Sequence, residues 1–95
     1  MMTILHEAHG LVHGDRGASY GHPLDNFTHT AALWTAYLAE KLALPLDEQD
    51  VAALMVMVKL SRQKHAPKRD NIVDIAGYAE TWQMTIDERK RRGIA

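Results

Sequence analysis

The sequence contains no cysteine, which excludes disulfide bonds and thiolate metal sites. No apolar run approaches the roughly 18 residues of a membrane span, and the first ten residues lack the basic and then apolar pattern of a signal peptide. Charge of one sign is also lacking: 11 basic and 12 acidic residues leave a net charge of -1, so there is no electrostatic case for a nucleic-acid or membrane partner. We therefore expect a cytoplasmic protein.

What the chain does have is apolar content, because 46% of its 95 residues are hydrophobic. That fraction is enough for a packed core, and the length suits a single domain over residues 1–95. A chain this short buries a limited share of its surface, so an isolated monomer would be only modestly stable.

Apolar residues recur at helical spacing in four segments, at about residues 3–12, 24–42, 47–64 and 70–90. Thr3, Asp47 and Asp70 are candidate N-caps, and Asp50 completes a capping box with Asp47. The segment between the first two helices is Gly-rich and polar, which favours an ordered loop. The pattern predicts an all-α, antiparallel four-helix bundle-like domain. The third helix is apolar on all sides, which predicts a homo-oligomer in which a second subunit covers part of it.

The first candidate site is the loop from Gly14 to Pro23 with the start of the next helix. Arg16 offers a planar donor fork suited to phosphate or carboxylate. Tyr20 and His22 can stack on a base or hydrogen-bond to it, and the Asn26 amide can contact a polar edge. The alternative is an interhelical loop with an Asp15–Arg16 surface pair and a capping turn.

Two cations on the third helix form a second candidate, because Lys59 and Arg62 are three residues apart and share a face. Arg62 continues an apolar stripe, so it is expected to need a carboxylate or a ligand anion. Either a ligand or a structural pair of Arg62 with Asp70 or Asp74 meets that need.

The start of the fourth helix supplies acids. Asp70 and Asp74 are one turn apart, and Tyr78 follows after another turn. Two carboxylates on one face can hold Mg²⁺, which prefers oxygen ligands completed by water and phosphate. The alternatives are a cap at Asp70 and a salt bridge from Asp74 to Lys59 or Arg62.

Histidines recur on the first helix, where His6, His9 and His13 share a face. Such a triplet can bind zinc, but its spacing differs from the HExxH pattern of metalloproteases. Solvated surface histidines are the interpretation that the sequence favours.

These motifs carry a resemblance over residues 4–80. The segments are GDRGASYGHPLDNF, DVAALMVMVKLSRQ and DNIVDIAGYAE. Together they resemble a family of small, uncharacterised bacteriophage proteins, which implies the host cytoplasm as the location. More distantly, the chain is similar to MazG-like all-α nucleoside triphosphate pyrophosphohydrolases, which hold Mg²⁺ with paired acids on two helices and which oligomerise. The first acidic pair of those enzymes has no counterpart here.

The resemblance implies a nucleotide or another phosphorylated small molecule as the partner. In the implied enzyme, Mg²⁺ held by Asp70 and Asp74 as the catalytic pair supports hydrolysis of a nucleoside triphosphate to the monophosphate and pyrophosphate. We expect the two polar segments to form opposite walls of one pocket. The expected substrate contacts are Arg16, Tyr20, His22, Asn26, Lys59, Arg62, Lys68 and Tyr78. The alternatives are a non-catalytic protein that sequesters a nucleotide or a nucleotide-derived defence signal, and a module that binds a host protein.

Overall fold

The computed structural model describes residues 1–14 and 16–94, with the backbone alone at positions 16 and 18. Within this part of the chain every regular element is helical, as the sequence predicts, and no strand is present. The helices are α1 (Ile4–His13), α2 (Arg16–Tyr20), α3 (Pro23–Tyr37), α4 (Glu48–His65) and α5 (Arg69–Arg91), with a 3-10 turn at Ala39–Lys41 between α3 and α4.

Two of the three predicted caps are confirmed. The Thr3 hydroxyl accepts from the His6 amide at 3.1 Å and so begins α1. At the start of α4, the Asp47 carboxylate accepts from the Asp50 amide and the Asp50 carboxylate accepts from the Asp47 amide, both at 2.9 Å. This reciprocal capping box satisfies two amides that the first turn of the helix leaves unpaired.

The cap predicted at Asp70 is wrong. Helix α5 begins one residue earlier, at Arg69, and Lys68 occupies the N-cap position without a side-chain cap bond. The Lys68 amide instead donates to Gln63 Oε1 at 3.0 Å. A side chain near the end of α4 therefore binds the backbone at the start of α5, where the local pattern predicted a cap from Asp70.

The polar segment between α1 and α3 is not wholly a loop, because it contains the short helix α2. Gly21 follows α2 with a positive φ of 76°, which glycine adopts without steric cost. His22 then caps α3, since its Nδ1 accepts from the Leu24 amide at 3.0 Å.

Helix α3 ends at Tyr37, five residues before the predicted end at residue 42. The chain turns through the 3-10 segment, and the Leu46 amide donates to the Thr35 hydroxyl at 3.0 Å. This side-chain contact folds the connection back onto α3, an arrangement that helical periodicity alone does not encode.

The main core lies where α3, α4 and α5 meet. Its fully buried members are Phe27 and Ala31 from α3 and Val51 and Ala52 from α4. Partly buried side chains from α3, from α4, from α5 and from the connection between α3 and α4 pack around them: Trp34, Leu46, Met55, Tyr78 and Trp82. Helix α5 contacts α1, α3 and α4, so it joins the core to the N-terminal helices.

The α1–α5 packing rests on small residues. Ala8 and Val12 are the buried residues of α1, and a Cβ built on Gly77 would lie 3.6 Å from Val12 Cγ2. A methyl group at Gly77 would thus meet Val12 at an ordinary van der Waals distance, without a clash. No helix in the described part of the chain is long and apolar enough to cross a membrane.

Helix α4 is not buried on all sides in the single chain. Its buried residues are Glu48, Val51 and Ala52, whereas Leu54, Met57 and Val58 are exposed, with Met57 at 57%. The second subunit expected to cover this face stays a prediction.

Candidate functional site

A cavity of about 500 Å³ lies between α1, α2 and α5. Its size falls within the range of small-molecule sites, roughly 300–1,000 Å³. The lining mixes apolar groups with hydroxyls, aromatic rings and one carboxylate: Ala8, Gly10, Leu11, Val12, Gly14, Ser19, Tyr20, Val73, Asp74, Gly77, Tyr78 and Thr81.

Both polar segments singled out in the sequence reach this cavity. The first segment contributes Tyr20, and the second contributes Asp74 and Tyr78. These three are the predicted site residues that the structure brings together. Tyr20 is 61% exposed, which places it at the open side.

The other predicted contacts in described positions do not line the cavity. His22 caps α3, and the Asn26 carbonyl accepts from the Thr30 hydroxyl. Arg62 and Lys68 are exposed, so the buried setting expected for Arg62 is wrong. The side chain of Arg16 lies outside the described residues, although its backbone begins α2.

Asp74 forms an ion pair with Lys59, whose Nζ lies 2.8 Å from Asp74 Oδ2. The Lys59 side chain is 14% exposed and that of Asp74 38%. Of the alternatives open for Asp74, the structure therefore contains the Lys59 salt bridge, and Arg62 forms none within the described residues. The pair places a neutralised carboxylate on the cavity wall, with a second oxygen that can accept a hydrogen bond.

The α5 wall is fixed by contacts within the fold. The Thr81 hydroxyl donates to the Gly77 and Tyr78 carbonyl oxygens at 3.1 and 3.2 Å. The Tyr78 ring packs against Phe27, with ring centroids 6.4 Å apart. Because Phe27 belongs to the core, the Tyr78 ring is held by the most buried part of the molecule.

Gly14 is required by close packing on the α1 wall. A Cβ at this position would lie 2.6 Å from the Gly10 carbonyl oxygen, a backbone atom that cannot move aside cheaply. The turn at Gly14 lets α2 follow directly after α1, and so it brings Ser19 and Tyr20 to the cavity.

No contact among the described residues supports a magnesium-dependent centre at Asp70 and Asp74. Asp70 is exposed and does not line the cavity, and Asp74 is already paired with Lys59. Within the described residues, neither belongs to a group of three or more potential metal ligands. Magnesium binding and the catalytic role of this pair stay predictions.

The clearest pKa shifts in the described residues lie away from the cavity. The hydrogen bond from Arg92 lowers the pKa of Asp25. Hydrogen bonds from Arg91 and Arg92 lower the pKa of Glu88 to about 2. The Arg92–Asp25 pair ties the end of α5 to the start of α3, whereas Glu88 pairs with Arg91 and Arg92 at that same end of α5. These groups therefore stabilise the fold and do not belong to the candidate site.

Sequence reasoning identified three of the twelve described residues that line the cavity and missed the other nine. Ser19 lies in the first polar segment but was not among the predicted contacts, because a single serine forms no recognisable motif. Leu11, Val73 and Thr81 lie on α1 and α5 and carry no charge, so no motif of binding or catalytic residues pointed to them. The space between α1 and α5 depends on how the two helices pack, which helical spacing does not encode.

Comparison with known proteins gives a family but no activity. Residues 3–85 match the family described as Domain of unknown function (DUF6378), so the chain belongs to that family. It is 42% identical over 87 residues, 90% of the chain, to the Gene 55 protein of Mycobacterium phage D29. It is 36% identical over 96 residues, 97% of the chain, to the Gene 55 protein of Mycobacterium phage L5.

These matches cover 55% of the D29 protein and 60% of the L5 protein, so the chain spans little more than half the length of these relatives. No solved structure matches the chain. The expected kinship with small uncharacterised bacteriophage proteins is confirmed by these comparisons.

Proposed function

We propose that this member of the DUF6378 family binds a nucleotide or a related phosphorylated small molecule, with the base or sugar in the cavity between α1, α2 and α5. The observation that carries the proposal is the convergence of Tyr20, Asp74 and Tyr78 on one cavity of about 500 Å³. The MazG-like relationship that the sequence motifs predict, which stays a prediction, would favour the same ligand class.

The lining suits the uncharged part of such a ligand. Aromatic rings such as Tyr20 and Tyr78 stack on any base, and each base–aromatic stack contributes about 1–3 kcal/mol. The Ser19 hydroxyl can donate or accept, and the Asp74 carboxylate can accept from a sugar hydroxyl or a base amino group. Leu11 and Val73 supply apolar contact area.

The phosphates would lie outside the apolar part of the cavity. Lys59 is held beside the cavity wall by Asp74, and Arg62 is one turn further along α4. Arg16 begins α2, three residues before Ser19. A phosphate that reaches these cations would gain charge-assisted hydrogen bonds.

Binding without turnover is the form of the function that the ion pair favours. A magnesium ion would have to compete with Lys59 for Asp74, and Asp70 stands outside the cavity lining. We therefore place sequestration of a nucleotide or a nucleotide-derived signal ahead of hydrolysis.

The test is calorimetric titration of the chain with a panel of nucleoside mono- and triphosphates, cyclic dinucleotides and inorganic phosphate, with and without Mg²⁺. We expect one ligand class to bind without Mg²⁺ and to be recovered unchanged by chromatography after denaturation. Recovery of monophosphate and pyrophosphate would instead establish the hydrolase. Absence of binding across the panel would contradict the proposal.

Matched tyrosine variants locate the site. Tyr20→Leu and Tyr78→Leu are expected to weaken binding at least tenfold, because each removes a stacking surface. Tyr37→Leu makes the same chemical change at a residue that is 89% exposed and does not line the cavity, so it should leave affinity unchanged. Equal losses in all three variants would argue against this cavity.

The exposed apolar face of α4 supports a second copy of the chain as a further partner. Leu54, Met57 and Val58 lie within two turns on one side of the helix and are exposed. Light scattering should show a dimer or larger species that Met57→Glu dissociates, whereas Met2→Glu, at another exposed methionine, should not. A monomer at all concentrations would contradict the oligomer.

A further inference from the structure

Three potential metal ligands meet on the outer side of the α1–α5 packing. His9 and His13 are one turn apart on α1, with ring centroids 4.4 Å apart. Glu80 approaches from α5, and its Oε2 lies 2.7 Å from His13 Nε2. One ligand atom from each of the three residues lies within 4.8 Å of the other two.

We propose that His9, His13 and Glu80 form a binding site for a divalent transition-metal ion of the zinc class. Two imidazole nitrogens and one carboxylate oxygen are a ligand set that Zn²⁺ accepts, at about 2.0–2.2 Å from the metal. Tetrahedral bonds of that length separate neighbouring ligand atoms by roughly 3.3 Å, and the three ligand atoms lie within 4.8 Å of one another before any ion is bound. Imidazole ligands favour zinc over magnesium or calcium, which prefer oxygen.

The ligands come from two helices, which distinguishes this cluster from a chance surface pair. His9 and His13 alone would bridge one turn of α1, whereas Glu80 ties the metal to α5, 67 residues away from His13. The bound ion therefore links α1 to the helix that joins it to the core. Fully protein-bound zinc sites carry four ligands, so a site with three leaves a position for water or another donor.

His6 marks what sequence spacing alone predicts. It belongs to the same histidine series, but it is not in the three-ligand group. In the structure the third potential ligand beside His9 and His13 is Glu80 and not His6, and no local motif indicated this acid.

The proposed ion site is separate from the cavity. None of His9, His13 and Glu80 lines it, whereas Leu11 on α1 and Tyr78 on α5 do. The ion site and the cavity thus use different sides of the same helix pair, and the two proposals can fail independently.

The experiment uses the full, untagged chain after dialysis against EDTA. Titration with ZnCl₂ and a chromogenic competitor should give one zinc per chain with a Kd below ~10 μM. Zinc at 100 times the Kd should raise the melting temperature by on the order of 10 °C, because the ion binds the folded state alone. EDTA should reverse this rise.

Variants assign the ligands. His9→Ala, His13→Ala and Glu80→Gln should each weaken zinc binding at least tenfold, while His6→Ala should leave the Kd unchanged. Circular dichroism checks that each variant is folded, and Co²⁺ substitution should give the visible absorption of a tetrahedral site in the parent chain.

Binding that is absent at 100 μM Zn²⁺ would overturn the proposal. So would a loss in His6→Ala equal to that in His13→Ala, or full affinity in Glu80→Gln, because either result would describe nonspecific histidine binding on α1.

Discussion

The two sides of α5 differ in how they are held. The core side, formed by α3, α4 and the α5 residues that contact them, contains Phe27 and Ala52, at 2% and 0% exposure. The α1 side, formed by α1, α2 and the facing part of α5, buries smaller side chains, Ala8 and Val12 of α1 and Val73 and Thr81 of α5. Both proposed ligand sites lie on the α1 side.

The two sides also differ in their polar contacts. Ion pairs reinforce the core side, where Arg89 contacts buried Glu48 at 2.7 Å and Arg92 contacts Asp25 at 2.7 Å. The α1 side combines small buried side chains with a cavity and with exposed histidines.

The largest expected effect is on the core side. Phe27→Ala removes a ring that is 2% exposed and should lower the free energy of unfolding by about 3–5 kcal/mol. Leu33→Ala on the same helix, at a side chain 58% exposed, should change it by less than about 0.5 kcal/mol. Urea denaturation measures both. Similar small effects at both positions would show that Phe27 does not anchor a packed core.

The buried ion pair should come next. Arg89→Met leaves the Glu48 carboxylate, 4% exposed, without its guanidinium, and the melting temperature should fall by about 10 °C. The same hydrogen bond raises the pKa of Arg89. Arg91→Met, at a side chain 71% exposed, should lower the melting temperature by only a few degrees. An unchanged melting temperature for Arg89→Met would show that Glu48 is solvated.

Acid should weaken the core side through Glu88. Its pKa is lowered to about 2 in the folded chain, against about 4.3 in the unfolded chain. The stability that the ionised Glu88 carboxylate adds to the fold is therefore fully present above about pH 4.5, and it is lost as pH falls toward 2. Thermal melts between pH 6 and 2 should show a shallower decline in Glu88→Gln than in the parent. Parallel curves would contradict the low pKa.

The smallest effect should separate stability from binding on the α1 side. Gly77→Ala adds a Cβ at an ordinary contact distance of 3.6 Å from Val12, and it should stabilise α5 by up to about 1 kcal/mol. The same methyl group enters the cavity lining, so ligand affinity should fall. Gly17→Ala, whose Cβ would meet nothing within 4 Å and which does not line the cavity, should leave affinity unchanged. Unchanged affinity in Gly77→Ala would contradict the placement of the ligand against this part of α5.

Local signals in the sequence predicted the long helices well, because their causes are local. Thr3 and the Asp47–Asp50 box begin their helices as expected. The end of α3 and the start of α5 were misplaced. In these regions Thr35 and Gln63 accept from the amides of Leu46 and Lys68, 11 and five residues further on, and helical periodicity does not encode such contacts.

The candidate site was predictable in its residue types but not in its partners. Tyr20, Asp74 and Tyr78 were chosen from polarity and spacing, and they share the cavity. Which cation pairs with Asp74 depended on how α4 and α5 pack, and helical spacing allowed both Lys59 and Arg62. Nothing in the sequence indicated Glu80, because its contact with His13 forms only when α1 packs on α5.

The most direct test of the account is chemical-shift mapping of the ¹⁵N-labelled chain with the ligand that calorimetry selects. We expect the largest shifts at Gly14, Ser19, Tyr20, Gly77 and Tyr78, and small shifts at Val51 and Ala52 in the core. Shifts centred on α4, or spread evenly over the helices, would contradict the assignment of ligand binding to the α1 side.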